Sequence, residues 1–433
     1  MSKILDVFET ISKINRCSGN YEGFLAFIKE YAKDKGYECQ VDATNNILCK
    51  KKGSKPKLAL QAHYDIVCLV DNHVPKLIKE GNILRADNST LGADDGMGCA
   101  YILILMELGY DLEYVFTSDE EIGLIGANNI DFELSAKYML NIDSESEDEI
   151  CVGCAGGLDI TACSDDKKII QNLRNYNIYE IEIDNLPGGH SGLDIDKNVP
   201  NAIKLVIQAV KESKAQLVDI NGGERTNSIA KHCKAMVAAK TMPKAIHENM
   251  TVKLLDDVNS EHYLKYSKNI VNFLYSFSHG VRAYNHDLDG VQTSINLAKV
   301  SSDASKGIVV ELSARSMSDY DLALLADETK TMFKGFGFKK VQFCSGHKAW
   351  SPDINEFTNA IEKVAKKYIP NIKLKTIHAG LECAVFKDKF PQLHLASVGP
   401  NIYFPHSSKE YTELDSVEKV FNIVKDLSDI YTK

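Results

Sequence analysis

Apolar residues recur at helical spacing at Ile4, Val7, Phe8, Ile11 and Ile14, and again at Phe24, Phe27, Ile28 and Tyr31, which predicts two amphipathic helices at the start of the chain. Short strands follow at Glu38 to Val41 and Ile47 to Lys51, with Asn45-Asn46 as the turn, and Lys57 to Ala62 reads as a buried strand ending at His63. After Asp94-Asp95, Gly96 opens a helix whose apolar positions Met97, Ala100, Tyr101, Ile104, Leu105 and Leu108 share one face. Leu112 to Thr117 is the next strand, Ile122 to Asn128 a short helix and Tyr138 to Ile142 a further strand. Strands alternating with helices predict an α/β sheet, in which ligands gather beyond the strand ends.

Around Gly156-Gly157 the pattern changes, and to about residue 342 the order is strand, helix, strand, strand, run twice. The first pass has Tyr179 to Asp184 as strand, Val199 to Glu212 as helix, and Leu217 to Ile220 and Ala235 to Ala239 as strands. The second has His262 to Tyr275 as helix, Thr293 to Val300 and Ile308 to Ser313 as strands, Tyr320 to Phe333 as helix and Lys340 to Cys344 as strand. Two such passes resemble paired split βαβ sandwiches. Ile354 to Tyr368 then predicts a helix, and Gln392 to Val398 returns to the buried-strand pattern. The fold class is therefore α/β, with one domain (1–157 and 343–433) interrupted by an inserted α+β domain (158–342) of two split-βαβ, ferredoxin-like halves.

Composition narrows the function classes. With 433 residues the chain exceeds a single core, and 44% hydrophobic and 25% charged residues are ordinary for a globular protein. A formal net charge of −10 argues against a nucleic-acid partner, which needs clustered Lys and Arg. The N-terminus alternates apolar and charged residues, unlike a signal peptide, and no run reaches the ~18 apolar residues of a membrane span, so the expectation is a cytoplasmic protein without a membrane partner. Eleven scattered cysteines fit reduced, buried thiols better than a disulfide framework. Cys151 and Cys154 form a lone Cys-x-x-Cys, read as a turn between small residues.

Candidate chemistry collects where apolar runs end. Leu-Gln-Ala-His63-Tyr-Asp65, Gly-Ala-Asp94-Asp95-Gly, Thr-Ser-Asp119-Glu120-Glu121 and Asn-Ile-Asp143 each close a strand or open a helix with acids or a histidine. His63 and Asp65 are alternate strand residues and share a face, which makes Asp65 the natural carboxylate partner of a metal-bound His63. Asp94 could bridge two cations, although Asp94-Asp95 by itself is equally a helix cap. The adjacent glutamates decide the matter, because like charges side by side repel unless one binds metal and the other moves a proton. Glu120 is assigned as general base and Glu121 as ligand, with Asp143 as a further ligand at the next strand end.

With Gly-Cys-Ala-Gly-Gly, Gly-Gly-His190-Ser-Gly, His378-Ala-Gly-Leu-Glu382-Cys and Gly-Pro-Asn-Ile-Tyr-Phe-Pro-His406-Ser following in order, the sequence resembles the co-catalytic zinc exopeptidases of the aminoacylase and carboxypeptidase G type. Within them it is most similar to the aminoacyl-histidine dipeptidases (Xaa-His dipeptidase, carnosinase-like), over nearly the whole chain. The resemblance implies a two-domain zinc-exopeptidase architecture, with the interrupted domain catalytic and the insertion a lid. It implies two divalent metal ions, zinc first with manganese or cobalt also suited to the ligands. His63, Asp94 and Asp143 would hold one ion, and Asp94, Glu121 and His406 the other. His406 enters only through the resemblance, as does a cis peptide between Asp94 and Asp95. His190 would polarise the scissile carbonyl with help from Asn227, Arg315 would clamp the substrate carboxylate, and Gly380 and Glu382 would line the substrate pocket. Without the resemblance, His190 reads as a turn histidine and Arg315 as a strand-surface residue. Most other histidines, including His73, His247, His262 and His286, read as surface or core residues.

The implied function is hydrolysis of dipeptides, Xaa-His or of broad specificity, by a metal-bridged hydroxide with Glu120 as base. An N-acyl amino acid deacylase or a tripeptidase could use the same residues, and a catalytically dead peptide-binding protein is the alternative of another class. The expected partner is a small peptide, with the chain a monomer or a homodimer through the lid.

Overall fold

The strand Leu58–His63 is buried at every position and pairs in parallel with Glu113–Thr117 on one side and Tyr138–Asn141 on the other. His394–Ser397 adds a fourth parallel strand next to Tyr138–Asn141. These lie within an eight-stranded sheet that continues to Ile47–Lys50 and Glu38–Val41 at one edge, and to Glu149–Cys154 and Lys373–Ile377 at the other. Buried on both faces, such strands read as continuous apolar runs. The helix Ala93–Glu107 is buried at almost every position, which is why its sequence is apolar all round.

This computed structural model describes all residues except 71–73, 166–168, 172–174, 256–262, 266–267, 304 and 433. His73 and His262 lie outside the described residues, as does the expected start of the helix at His262; the described helix there is Lys268–Ser276. His286 is exposed and His247 half-buried.

The chain divides into two compact units, Met1–Cys154 with Trp350–Thr376 and Leu381–Lys433, and Ala155–Ala349 with Ile377–Gly380. In the first, a mixed α/β sheet carries the helices. In the second, a nine-stranded sheet is antiparallel throughout its pairings. Two split βαβ units are visible in it. Asn177–Ile183 and Gln216–Gly222 flank Cys233–Ala239, and Gly307–Ser316 and Lys340–His347 flank Gly156–Cys163. Helices Ala202–Glu212, Lys268–Ser276 and Asp319–Gly335 bury one face of this sheet through Ile203, Val206, Phe273, Leu274, Leu325 and Phe333. The architecture is thus a mixed α/β sheet in one unit and an antiparallel sheet with helices on one face in the other.

Several elements escaped the periodicity. The strand Gly156–Cys163, the hairpin Leu77–Glu80 with Ile83–Ala86, and the helix Leu414–Thr432 have no counterpart in the pattern reading.

The expectation of reduced cysteines throughout is corrected. Cys17–Cys68 and Cys39–Cys49 are disulfides, and the remaining seven cysteines are thiols. Both bridges follow from pairing that spacing could not reveal: Cys39 and Cys49 are cross-strand partners in a hairpin, and Cys17 bridges to Ile66, two residues from Cys68. Disulfides persist in oxidising surroundings, so thiol chemistry no longer supports a cytoplasmic location. No helix among the described residues is long and apolar enough to cross a membrane. Cys151 and Cys154 are buried thiols.

The Cys17–Cys68 bridge closes a loop across 51 positions. On a chain-entropy account such a closure contributes about 4 kcal/mol. The double variant C17S/C68S is therefore expected to melt at lower temperature than the wild type under oxidising conditions, and to match the wild type in excess reductant. Identical melting in both conditions would contradict the bridge.

Candidate functional site

The parallel strands deliver their C-terminal ends to one place. His63 closes the first strand, Glu120 and Glu121 lie just past the second, and Asp143 just past the third. Asp94 sits at the start of the central helix, and its peptide bond to Asp95 is cis. His406 arrives from the turn between Ile402–Tyr403 and Tyr411–Glu413, an antiparallel pair extending the hairpin at residues 77–86.

Asp94 is the centre of the cluster. Its Oδ1 is 3.1 Å from His63 Nε2 and its Oδ2 3.1 Å from His406 Nε2. His63 Nε2 also lies 3.3 Å from Asp143 Oδ1, and His406 Nε2 lies 2.9 Å from Glu121 Oε2. Ligand atoms of His63, Asp94 and Glu121 fall within 4.8 Å of one another. Each imidazole thus faces Asp94 and one further carboxylate, two overlapping sets with Asp94 common to both.

Two carboxylates hold the backbone of this cluster. Asp65 accepts from the amides of Glu120 and Glu121 at 3.0 and 3.3 Å, and from Ser18 Oγ at 2.7 Å. Glu410 accepts from the amides of Leu91, Gly92 and Ala93 at 2.8, 3.2 and 2.9 Å, so the carboxylate that caps the helix ahead of Asp94 comes from Glu410, leaving Asp94 for the imidazoles. The His63–Asp65 relation differs from the expected one. His63 Nδ1 is 3.0 Å from the backbone oxygen of Asp65 and 3.6 Å from its carboxylate, because that carboxylate is turned to the 120–121 amides. The outcome for the ring is the same: Nδ1 holds a proton against an oxygen and Nε2 faces the ligand cluster.

The charge balance shows what the cluster lacks. Burial pushes the Asp143 carboxyl up to about 7, with Asp94 alongside, and pushes Glu382 up to about 8. Burial also raises Glu120 well above the carboxylate range, reinforced by Asp143, Glu121 and Glu382, and raises Glu410 to about 7. Hydrogen bonds to Asp94 and Glu121 lift His406 to about 11, and burial opposes but does not prevent the rise of His63 beside Asp143. Glu121 Oε1, Asp95 Oδ2 and Glu382 Oε1 are buried without a hydrogen-bond partner among the described residues. Crowded carboxylates, orphaned oxygens and two imidazoles with their Nε2 atoms turned to the same carboxylate are a donor set suited to divalent cations.

Three contributors were missed or only half seen in the sequence. Arg16, fully buried, donates to the backbone oxygens of Tyr64 and Gly92 at 2.8 and 3.3 Å and faces Asp65, Asp95 and Glu410. Glu410 carried no motif. Glu382 begins the helix Glu382–Lys389 and is fully buried, its Oε2 accepting from Gln61 Nε2 and Thr117 Oγ1 at 2.6 Å each. A signal existed only for Glu382, through the quoted motif.

The second unit holds the other expected residues. His190 lies in the short pairing of Gly189–His190 with Ser228–Ile229, next to Asn227, whose backbone oxygen accepts from Ser191 N at 2.8 Å. The amides of Gly192 and Leu193 donate to His190 Nδ1 at 3.3 and 3.2 Å. Nδ1 is therefore the bare nitrogen and Nε2 carries the proton. Burial and the neighbouring Arg315 push His190 down to about 4, so the ring is neutral at ordinary pH. Arg315 is buried in the strand Gly307–Ser316, its Nε 3.5 Å from Ser191 Oγ, and Gly380 belongs to the segment Ile377–Gly380 of this unit.

Comparison with known proteins bears on both units. No family model matches the sequence. The chain is 28% identical over 473 aligned positions to the cytosol non-specific dipeptidase of Escherichia coli strain K12, covering 98% of this chain and 96% of that protein. The crystal structure of aminoacylhistidine dipeptidase from Vibrio alginolyticus superposes with a TM-score of 0.83 at 25% identity, covering 99% and 96% of the two chains. The chain is thus similar over nearly its whole length to a cytosol non-specific dipeptidase and to an aminoacylhistidine dipeptidase. At 13% identity and a TM-score of 0.55, the M20 family metallo-carboxypeptidase Sso-CP2 from Sulfolobus solfataricus shares the fold, over the full length of both chains.

Protonation links this protein's stability to pH. Carboxyls whose folded pKa is raised are stabilised in their protonated form, so their contribution is lost as pH rises through about 7 to 8. His406, also raised, contributes fully below its ordinary value of 6.5 and loses that contribution as pH rises toward 11, which acts in the same direction. Metal-free protein is expected to lose thermal stability between pH 5 and 8, and added zinc or manganese to reverse the loss. Calorimetric melting across that range, with and without metal, checks both parts.

Proposed function

We propose that this protein is a metal-dependent dipeptidase. The observation that carries the reading is Asp94, shared between His63 and His406 while each imidazole faces a second carboxylate, in a chain similar over its full length to named dipeptidases. His63, Asp94 and Asp143 are proposed to hold one divalent cation, and Asp94, Glu121 and His406 a second, with zinc the first candidate. When bound, such a pair supplies an activated water and polarises the peptide carbonyl.

The chain's own groups do the rest. Glu120 takes the proton of the attacking water and passes it to the leaving amine; its crowded, buried setting raises its affinity for a proton. Asp65 fixes the backbone from which Glu120 and Glu121 project. His190 donates from Nε2–H to the carbonyl oxygen as negative charge develops there, a task for which a neutral ring with a fixed tautomer is prepared in advance. Asn227 assists, and Arg315 holds the substrate's C-terminal carboxylate. Gly380 and Glu382 belong to the same substrate-proximal segment. The location of the enzyme and its oligomeric state are open to direct measurement: a Arg315 variant mixed with a His190 variant regains activity only if subunits share the site.

The deciding experiment assays the purified protein on a dipeptide panel with zinc, manganese or cobalt, each dipeptide paired with its N-acetylated analogue. Hydrolysis of free dipeptides is expected, and preference for the acetylated compounds would favour a deacylase instead. E120A is expected to lose at least about 10²- to 10⁴-fold in kcat, the usual contribution of general acid–base catalysis, while metal content stays near that of the wild type. Full activity of E120A would remove Glu120 from the mechanism, and no turnover by the wild type with any metal would favour a peptide-binding role.

A further inference from the structure

Four residues on adjacent strands of the antiparallel sheet stand in one row. Ser294 is the Cα partner of Arg315, Arg315 of Gly157, and Gly157 of His347. Directly opposed residues share a face of a sheet. Ile295 and Ala314, the next residues along, belong to the core under the helices, so the row lies on the opposite face.

Gly157 is what gives the row its shape. A Cβ built there would lie 2.6 Å from Cε1 of His347, so the imidazole occupies the space that any other residue would fill. Gly380 closes the other side, where an added Cβ would lie 2.9 Å from His347 Nε2. The ring is seated between two glycines, and its Nε2 is buried with no hydrogen-bond partner among the described residues. At the far end of the row Ser294 Oγ is 2.7 Å from His378 Nε2. The guanidinium thus has a serine–histidine pair on one side and an unsatisfied imidazole nitrogen on the other.

We infer that His347 is a specificity-determining residue, supplying through Nε2 a hydrogen bond to the same C-terminal carboxylate that Arg315 holds. This rests on the dipeptidase reading. A buried polar atom without a partner is unfavourable unless a ligand satisfies it, and a carboxylate gripped by a guanidinium has acceptor positions left over. Burial and Arg315 hold His347 and His378 below the usual imidazole range, His378 at about 3, so the row carries one fixed positive charge and suits a monoanion. His347 also hydrogen-bonds the backbone of Ala155, and since Nε2 has no partner, that bond belongs to the other ring nitrogen. A carboxylate bound at Arg315 offsets the guanidinium's field and favours the protonated ring, in which Nε2 carries a hydrogen to donate.

The test compares L-alanyl-L-alanine with its C-terminal amide, L-alanyl-L-alaninamide, as substrates of the metal-loaded enzyme. In the wild type kcat/KM is expected to favour the free carboxylate. H347F is expected to reduce that preference about tenfold, mainly through KM for the dipeptide, as loss of a hydrogen bond to a charged group predicts. H347Q, which keeps an amide donor, retains most of the preference, and G157A, which leaves His347 in the chain but displaces its ring, lowers it as H347F does. Circular dichroism identifies any variant that fails to fold, and G157A then decides for H347F. A preference unchanged in folded H347F or in folded G157A overturns the proposal while the dipeptidase reading stands. A wild type that hydrolyses neither compound defeats that reading and this proposal together.

Discussion

Asp94 imposes the constraint on which the first unit depends. One carboxylate must face two imidazoles from sequence positions 343 residues apart, His63 and His406, and do so while buried. A carboxylate in that position cannot also cap its own helix, and Glu410 takes over the amides of residues 91 to 93. Arg16, reaching the carbonyls of Tyr64 and Gly92, ties the backbone behind His63 to the backbone before Asp94.

The same reasoning explains why so many acids tolerate one another's company. Without cations, burial and mutual repulsion drive Asp143, Glu382 and Glu410 toward neutrality at pH 7 to 8, and the two imidazoles take up protons in partial compensation. A divalent cation held by the proposed ligands would displace those protons, so its binding would be linked to proton release. In the second unit the logic is reversed. There burial, with one guanidinium, Arg315, alongside, holds down the proton affinity of His190, His347 and His378, and without a bound anion the imidazoles are neutral hydrogen-bonding groups.

Alternation of apolar strands and helices revealed the α/β sheet, and the strand–helix–strand–strand rhythm revealed both split βαβ units, because regular elements packed on regular partners carry their burial as a run or period of apolar residues. The elements that went unread are those whose pairing is not local. Gly156–Cys163 is a strand because it lies between Gly307–Ser316 and Lys340–His347, and of its opening glycines, poor strand formers, Gly157 admits the ring of His347 and Gly156 the backbone of residues 347 to 349. The disulfides were missed for a similar reason, since cross-strand register and not cysteine spacing brings Cys39 to Cys49.

By itself the sequence determined the chemical inventory: which carboxylates and histidines end the apolar strands, that Glu120 and Glu121 stand side by side after one of them, and, with the resemblance, which eight motifs stand in order. Only the tertiary structure decided what those groups face. Side-chain direction along a strand can be read from its period of two, but distances across strands, the capping role of Glu410, the burial of Arg16 and Glu382, and the row from Ser294 to His347 depend on register and long-range packing. Period is a property of neighbours in the chain, whereas electrostatics and hydrogen bonding are properties of neighbours in space.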